Sequence, residues 1–280
     1  MPVRRPAVSG SFYPSDPAEL ATLIDTCYVG PLGPGELPPA APTASRTVAC
    51  VAPHAGYVYS GGVASHSFLH VSSLRDPELI VIVAPNHYGV GSGASCWGEG
   101  SWATPLGEMR VDSKAARLIA EESGVVDFDP DPHRLEHSAE VQLPFLQRLY
   151  GGKVPFVAVS LAFQDIETTR SVAKGVAAAM KGRRGALIAS SDFSHYVTAA
   201  EARRKDLALI EHILSLDVES FYSTLERLDV TACGFGAIST VMQAARELGF
   251  SKAELLKYAN SGDTTGDNSR VVGYGALRFR

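Results

Sequence analysis

The sequence has few cysteines: four in 280 residues, with no C-x-x-C pair, too few and too scattered for a disulfide-built scaffold. It also has no uncharged apolar run approaching the ~20 residues that span a bilayer. Nor does it carry a basic run. The densest cationic cluster, Arg203-Arg204-Lys205, is flanked by Glu201 and Asp206, and 25 Lys and Arg face 30 Asp and Glu for a formal charge of −5. Phosphate contacts need a surplus of clustered cations, so bulk nucleic-acid binding is excluded. The opening Met1-Pro2-Val3-Arg4-Arg5-Pro6 is basic but has no apolar stretch behind it, so no signal peptide is expected. No internal repeat is present. These absences set the expectation of a reduced, cytoplasmic protein with no membrane or nucleic-acid partner.

Hydrophobic residues make up 45% and charged residues 20%, a globular composition. A chain of this length buries about 70–75% of its unfolded surface, so neither metal nor disulfide is needed merely to fold it. Asp16-Pro17-Ala18-Glu19 signals the first helix: an Asp cap, Pro at the first helical position and Glu three residues after the cap. Residues 30–45 hold five prolines and form a Pro/Gly-rich surface loop, the expected mobile segment, too short to separate two domains.

Beyond it strands and helices alternate. Thr47–Ala52, Leu79–Ala84, Pro155–Leu161 and Ala186–Ala189 read as buried strands. Helices are expected at Gly62–Leu74, 113–122, about 137–149, 166–181, 199–214, 218–226 and 235–248, with final strands near 254–259 and 270–279. Trp97–Val111, with Pro105-Leu106-Gly107, reads as a hairpin or ordered flap. The alternation predicts a single three-layer α/β/α domain over residues 1–280 around a mixed, mostly buried central sheet.

In such sheets the chemistry gathers beyond the strand ends. Three strands each deliver a histidine to a polar, aromatic loop: Pro53-His54-Ala55-Gly56-Tyr57, Pro85-Asn86-His87-Tyr88-Gly89 and Ser190-Ser191-Asp192-Phe193-Ser194-His195-Tyr196. Any one of them reads equally well as a surface or hydrogen-bonded residue; three in matching topological positions carry the information. Imidazole and thiolate are good transition-metal ligands. Cys233, in Thr231-Ala232-Cys233-Gly234, precedes an apolar helix whose dipole and free N–H groups favour thiolate. A nucleophile, a metal ligand or a small buried residue all suit that position. Asp192 has three readings: orienting an imidazole, acting as a base, or capping the following turn. Glu136-His137-Ser138-Ala139-Glu140 opens a helix with Glu136 and Glu140 on one face and His137 near the same cavity. It is not H-E-x-x-H, so a zincin is excluded. Tyr57, Tyr59, Tyr88 and Tyr196 cluster near the histidine loops.

The runs Arg5-Pro6-Ala7-Val8-Ser9-Gly10-Ser11-Phe12-Tyr13-Pro14, Pro53–Gly61, Pro85–Gly89, Glu136–Phe145, Ser191–Tyr196 and Ser261-Gly262-Asp263 together resemble the Memo family, in order over essentially the whole chain. The resemblance implies a fold like that of the class III extradiol dioxygenases. It further implies a metal pocket of two His and one Cys, falling here on His54, His87 and Cys233, with Asp192 and His195 beside it. Those dioxygenases hold iron with two His and a Glu. A thiolate in the carboxylate's place moves the preferred metal toward copper or other soft ions and weakens an inference of ring cleavage. Iron and copper are the expected cofactors, with zinc as a further candidate. Prokaryotic members are named for a system that includes a radical-SAM protein; animal members are described as redox-active and as binding phosphotyrosine peptides.

Three readings stay open at this point. One is a metal-dependent oxidoreductase in which His195 moves a proton and Asp192 orients it. The second is a non-catalytic module binding a peptide or small anion, and the third a metal-dependent hydrolase. The partner is in each case an unidentified small molecule or peptide.

Overall fold

Leu79-Ile80-Val81-Ile82-Val83-Ala84 has no polar face, and a strand of that kind is stable only when helices cover both sides of its sheet. The computed structural model describes residues 2–39 and 46–280. Its first half contains β1 (Val3–Arg4), α1 (Pro17–Val29), β2 (Val48–Ala52), α2 (Tyr57–Val71), β3 (Leu79–Pro85), β4 (Ala94–Cys96), β5 (Ser101–Thr104) and β6 (Gly107–Arg110). Then follow α3 (Ser113–Ser123), β7 (Asp127–Phe128), α4 (Asp131–Arg134), a 3-10 turn at Glu140–Gln142, α5 (Leu143–Tyr150), β8 (Phe156–Leu161), α6 (Ile166–Met180) and β9 (Gly185–Ser190). The remainder is β10 (His195–Val197), α7 (Ala199–Leu214), α8 (Val218–Leu228), α9 (Phe235–Glu247), β11 (Ala253–Asn260), α10 (Gly262–Thr265) and β12 (Val271–Phe279).

The main sheet is mixed and has nine strands in the order β10-β12-β2-β9-β3-β8-β4-β7, with β11 pairing β12 off that path. Its centre, β2-β9-β3-β8, is parallel, while β12 runs antiparallel to β2. Alternate residues of β3 enter two separate cores. Leu79, Val81 and Val83 pack with Ile119, Val176 and Val241 of α3, α6 and α9; Ile80, Ile82 and Ala84 pack with Ile24, Phe68 and Phe145 of α1, α2 and α5. This is the three-layer α/β/α arrangement, each fully buried aliphatic side chain stabilising it by about 1.5–3 kcal/mol. The Trp97–Val111 region forms the expected hairpin, β5 and β6, and β1 joins it in parallel as a separate three-stranded sheet.

Asp16 caps α1 through the N–H groups of Ala18 and Glu19, and Thr198 caps α7 through that of Glu201. Two helices start elsewhere than the pattern predicts. α2 begins at Tyr57 rather than Gly62 and carries Gly61 and Gly62 inside it. A Cβ on Gly61 would lie 2.5 Å from Cys27 Sγ and one on Gly62 2.9 Å from Leu32 Cβ, so these glycines permit close contact with α1 and the segment after it. The second, α5, begins only at Leu143, because Pro144 suits a first turn and the Glu136 side chain curls back to accept the Ser138 N–H at 2.9 Å. Glu136 and Glu140 therefore share no helix face.

Of the Pro/Gly-rich loop, residues 40–45 lie outside the described residues. Residues 30–39 are held at Gly33 and Gly35, whose N–H groups bond to the carbonyls of Gly30 and Tyr28. All four cysteines are free. Among the described residues no helix is long and apolar enough to cross a membrane.

Candidate metal centre

The parallel pairing aligns Val51, Ala189 and Val83 in one row across β2, β9 and β3. His54, Asp192 and His87 follow three or four residues further on, beyond the same edge of the sheet. The loop before α9 supplies Cys233. Gly234 lets that loop close down: a Cβ there would lie 2.3 Å from the Ser190 carbonyl oxygen. The Gln164 amide donates to the Cys233 carbonyl at 2.9 Å and accepts the Gly236 N–H at 2.8 Å, fixing the thiol's position.

His54 Nε2 and Cys233 Sγ stand 3.1 Å apart. The His54 and His87 rings meet nearly perpendicular, centroids 5.3 Å apart. Ligand atoms of His54, His87 and Cys233 all lie within 4.8 Å of one another. They face a cleft of about 400 Å³ that His137, Asp192, His195, Tyr196 and Thr231 complete.

The hydrogen bonds around this cleft determine each ring's tautomer. Ser190 gives its one hydroxyl proton to the Ser138 carbonyl at 2.7 Å and accepts from the Gln142 amide at 2.8 Å. Its remaining lone pair lies 2.9 Å from His54 Nδ1, which must therefore carry the proton, leaving Nε2 unprotonated beside Cys233. His87 Nδ1 lies 2.9 Å from Glu136 Oε1, and the Glu136 carboxylate only accepts, so His87 also protonates Nδ1. The Thr231 carbonyl imposes the same tautomer on His195 at 2.9 Å. Three imidazoles thus share one protonation pattern, each with Nε2 free for a metal or a proton.

Burial holds the His54 imidazole well below its ordinary value, with His137 and His87 adding to the shift. Burial also lowers His137, to about 4, and His195. Neutral imidazole is the ligating form. Burial alone would raise Glu136, but the hydrogen bond and charge of His87, with His137, bring it down to about 2. Burial pushes Asp192 up to about 7, against the lowering effect of the His54 N–H it accepts. Burial, then the Asp192 carboxylate, pushes the Cys233 thiol well above its usual value. Burial thus opposes the thiolate that the helix dipole favours, and a bound cation would reverse that balance.

Several expected residues sit elsewhere. Asp192 does not orient His195: its Oδ1 accepts the His54 backbone N–H at 2.8 Å, and Thr231 holds the His195 ring. Tyr57 is buried in the core and donates its hydroxyl to the Val141 carbonyl at 2.6 Å. Tyr88 lies in the same loop as His87 but is 54% exposed and outside the cleft. Tyr196 reaches the rim, its left-handed backbone (φ 61°) placing the ring 5.5 Å from the Arg270 guanidinium. Glu140 points away altogether: it pairs with Arg4 and accepts the Ala7 N–H, the Val8 N–H and the Tyr13 hydroxyl.

Glu136 stands behind His87 rather than in the cleft. Glu136, His87 and His137 also form a potential ligand trio. The Glu136 oxygens are already taken by the His87 ring, the His87 N–H and the Ser138 N–H, which makes it a support for His87. Ser190, Gln142 and Thr231 stand in the runs quoted above, but the sequence assigns them no role. Serine, glutamine and threonine carry no metal-ligand signature, and only adjacency to Asp192 and Cys233 marked Ser190 and Thr231.

A family model described as Memo-like protein matches residues 4–278. A MEMO1 family protein of Methanopyrus kandleri is 44% identical over 279 residues, covering 99% of both chains. One of Nitrosopumilus maritimus is 44% identical over 277 residues, again 99% of both. One of Aeropyrum pernix is 43% identical over 281 residues, 99% of this chain and 100% of that one.

Proposed function

We propose a function on one premise: the chain belongs to the Memo family. It is a metal-dependent oxidoreductase that holds one transition-metal ion, iron or copper, between His54 Nε2, His87 Nε2 and Cys233 Sγ. The observation that carries this reading is the 3.1 Å approach of His54 Nε2 to Cys233 Sγ, with the ring's other nitrogen committed to Ser190. An imidazole locked at Nδ1 beside a thiol is the arrangement of a supported ligand pair.

The donor set fits such an ion. Two neutral imidazoles and one sulfur are borderline-to-soft ligands, suited to copper, iron or zinc rather than magnesium or calcium. When bound, the ion supplies one-electron chemistry and charge stabilisation at an open coordination position. The chain's own residues do the rest. Glu136 keeps His87 in register. Thr231 aims His195 so that its unprotonated Nε2 accepts a proton from a molecule in the cleft. Asp192 holds the His54 backbone, and Tyr196 stands at the rim of the cleft.

The test is elemental analysis of the full chain purified anaerobically without added metal. About one iron or copper per chain is expected, lost in both His54→Ala and Cys233→Ser. No stoichiometric metal in the parent protein, or retention in both variants, overturns the metal site. Stoichiometric zinc that permits no reduction or oxidation overturns the redox assignment and favours the hydrolase.

A further inference from the structure

At the opposite end of the sheet, beneath the first residues of β2 and β9, lies a second cavity of about 530 Å³ that the metal centre does not use. Four arginines from three distant stretches of chain border it: Arg46, Arg183, Arg184 and Arg280. Strand pairing brings them together, since Phe279 lies opposite Ala49 and Val48 opposite Ala186. One wall is apolar, built by Leu248, Phe250, Phe279 and Met180. The His70 ring lines the same cavity, and its buried Nε2 has no hydrogen-bond partner among the described residues.

Two ordinary explanations fall short. α2, α6 and α9 all end near this cavity, and cations complement helix carboxyl termini. Yet among the described residues none of the four arginine side chains donates to a helix-terminal carbonyl. Surface ion pairing is the other explanation. Arg183 reaches Asp112 at 3.3 Å, Arg280 reaches Glu254 at 3.5 Å and Arg184 reaches Glu78 at 4.0 Å. These contacts are long, and Arg184 adds only a 3.3 Å bond from its Nε to the Asp76 carbonyl. By comparison, Arg148 grips Asp25 through two bonds of 2.9 and 3.0 Å. A guanidinium has five donors, so most of the N–H groups around the cavity remain available.

We propose that this cavity is a binding site for a small organic phosphate. The phosphoryl group is held by the Arg183, Arg184 and Arg280 forks, which match its geometry bidentately. The apolar body packs on Phe250 and Leu248, with the His70 ring beside them in the same lining. Burial keeps that ring uncharged at neutral pH. The site is independent of the metal centre, which lies beyond the other ends of the same strands.

The test is calorimetric titration of the full chain with inorganic phosphate, pyrophosphate and adenosine 5′-monophosphate at constant ionic strength. The nucleotide is expected to bind saturably, about tenfold tighter than inorganic phosphate, because only the organic ligand uses the apolar wall. Arg183→Gln and Arg280→Gln are each expected to weaken it by about tenfold, the loss of one charged fork. The Arg280 side chain is 53% exposed and its ion pair with Glu254 is long, so its variant tests the site with little disturbance of the core. Three outcomes overturn the proposal: no saturation by any of the three probes below about 10 mM, equal affinity for inorganic phosphate and the nucleotide, or affinities unchanged in both variants.

Discussion

Glu136 holds His87 at two points: one carboxylate oxygen accepts the His87 backbone N–H at 2.7 Å and the other faces the ring Nδ1 at 2.9 Å. A single side chain 49 residues away thereby sets both where the His87 loop lies and which ring nitrogen is free. The same logic holds at His54, where Ser190 takes the ring and Asp192 takes the backbone. Glu136 and Ser190 position the two rings from behind, outside the cleft lining, while Asp192 does so from within it.

Glu136→Gln separates position from tautomer. A glutamine amide still accepts one bond but presents N–H to the other, so His87 Nδ1 no longer faces an obligate acceptor. Metal affinity is expected to fall about 10–100-fold, the usual cost of losing such a support. Competitive chelator titration measures it, with unchanged far-UV circular dichroism as the control.

Ser190→Ala removes the hydroxyl on which three groups converge. It leaves the His54 Nδ1–H, the Gln142 amide and the Ser138 carbonyl without that partner in a buried region. Each such loss costs about 1–3 kcal/mol. Urea denaturation of the metal-free protein is expected to show a loss of about 2–4 kcal/mol, with weakened metal binding in the folded variant.

Arg4 and Glu140 form a buried ion pair 136 residues apart, and the Arg4 guanidinium also packs 4.3 Å from the Trp102 ring centroid. Arg4→Met strands the Glu140 carboxylate in the interior. A loss of about 3–5 kcal/mol is expected in urea denaturation, partly recovered in the double variant Arg4→Met/Glu140→Gln. Additive losses in the double variant would show the pair to be uncoupled.

Stability is expected to depend on pH through Asp206. This buried carboxyl accepts the Ser194 N–H at 3.0 Å and the Tyr258 hydroxyl at 2.8 Å. Burial still raises it to about 6, against an ordinary value of 3.8. The folded state therefore binds the proton more tightly than the unfolded chain. This group's contribution is most favourable below the ordinary value, is lost as pH rises toward 6, and is flat above that. The span is on the order of 3 kcal/mol, since each tenfold gain in proton affinity is worth about 1.4 kcal/mol. Asp206→Asn removes that slope. A wild-type profile whose stability fails to decline across the same interval would show that the carboxyl titrates normally.

The long strands, most helices and the three histidine loops could be read from the sequence because each is local. Continuous apolar runs mark strands buried on both faces, as at Leu79–Pro85, and Asp16-Pro17 and Thr198-x-x-Glu201 mark helix starts through nearest-neighbour hydrogen bonds. The short strands β4, β7 and β10 escaped notice, being two or three residues long and held only by partners distant in sequence. The early start of α2 had the same cause, since Gly61 and Gly62 oppose a helix until Cys27 and Leu32 arrive to fill their space.

Residue identity alone determined which donors this chain has: imidazoles at three strand ends and a cysteine before an apolar helix. Their division of labour was decided only by tertiary structure. Glu140 left the cleft for Arg4, Tyr57 entered the core, Asp192 took a backbone rather than a ring, and Thr231 and Ser190 assumed the work of aiming. A side chain's chemistry belongs to its own atoms and is legible anywhere in the chain. Its tautomer, charge and direction depend on what surrounds it, and those neighbours lie 36 and 136 residues away for His195 and His54.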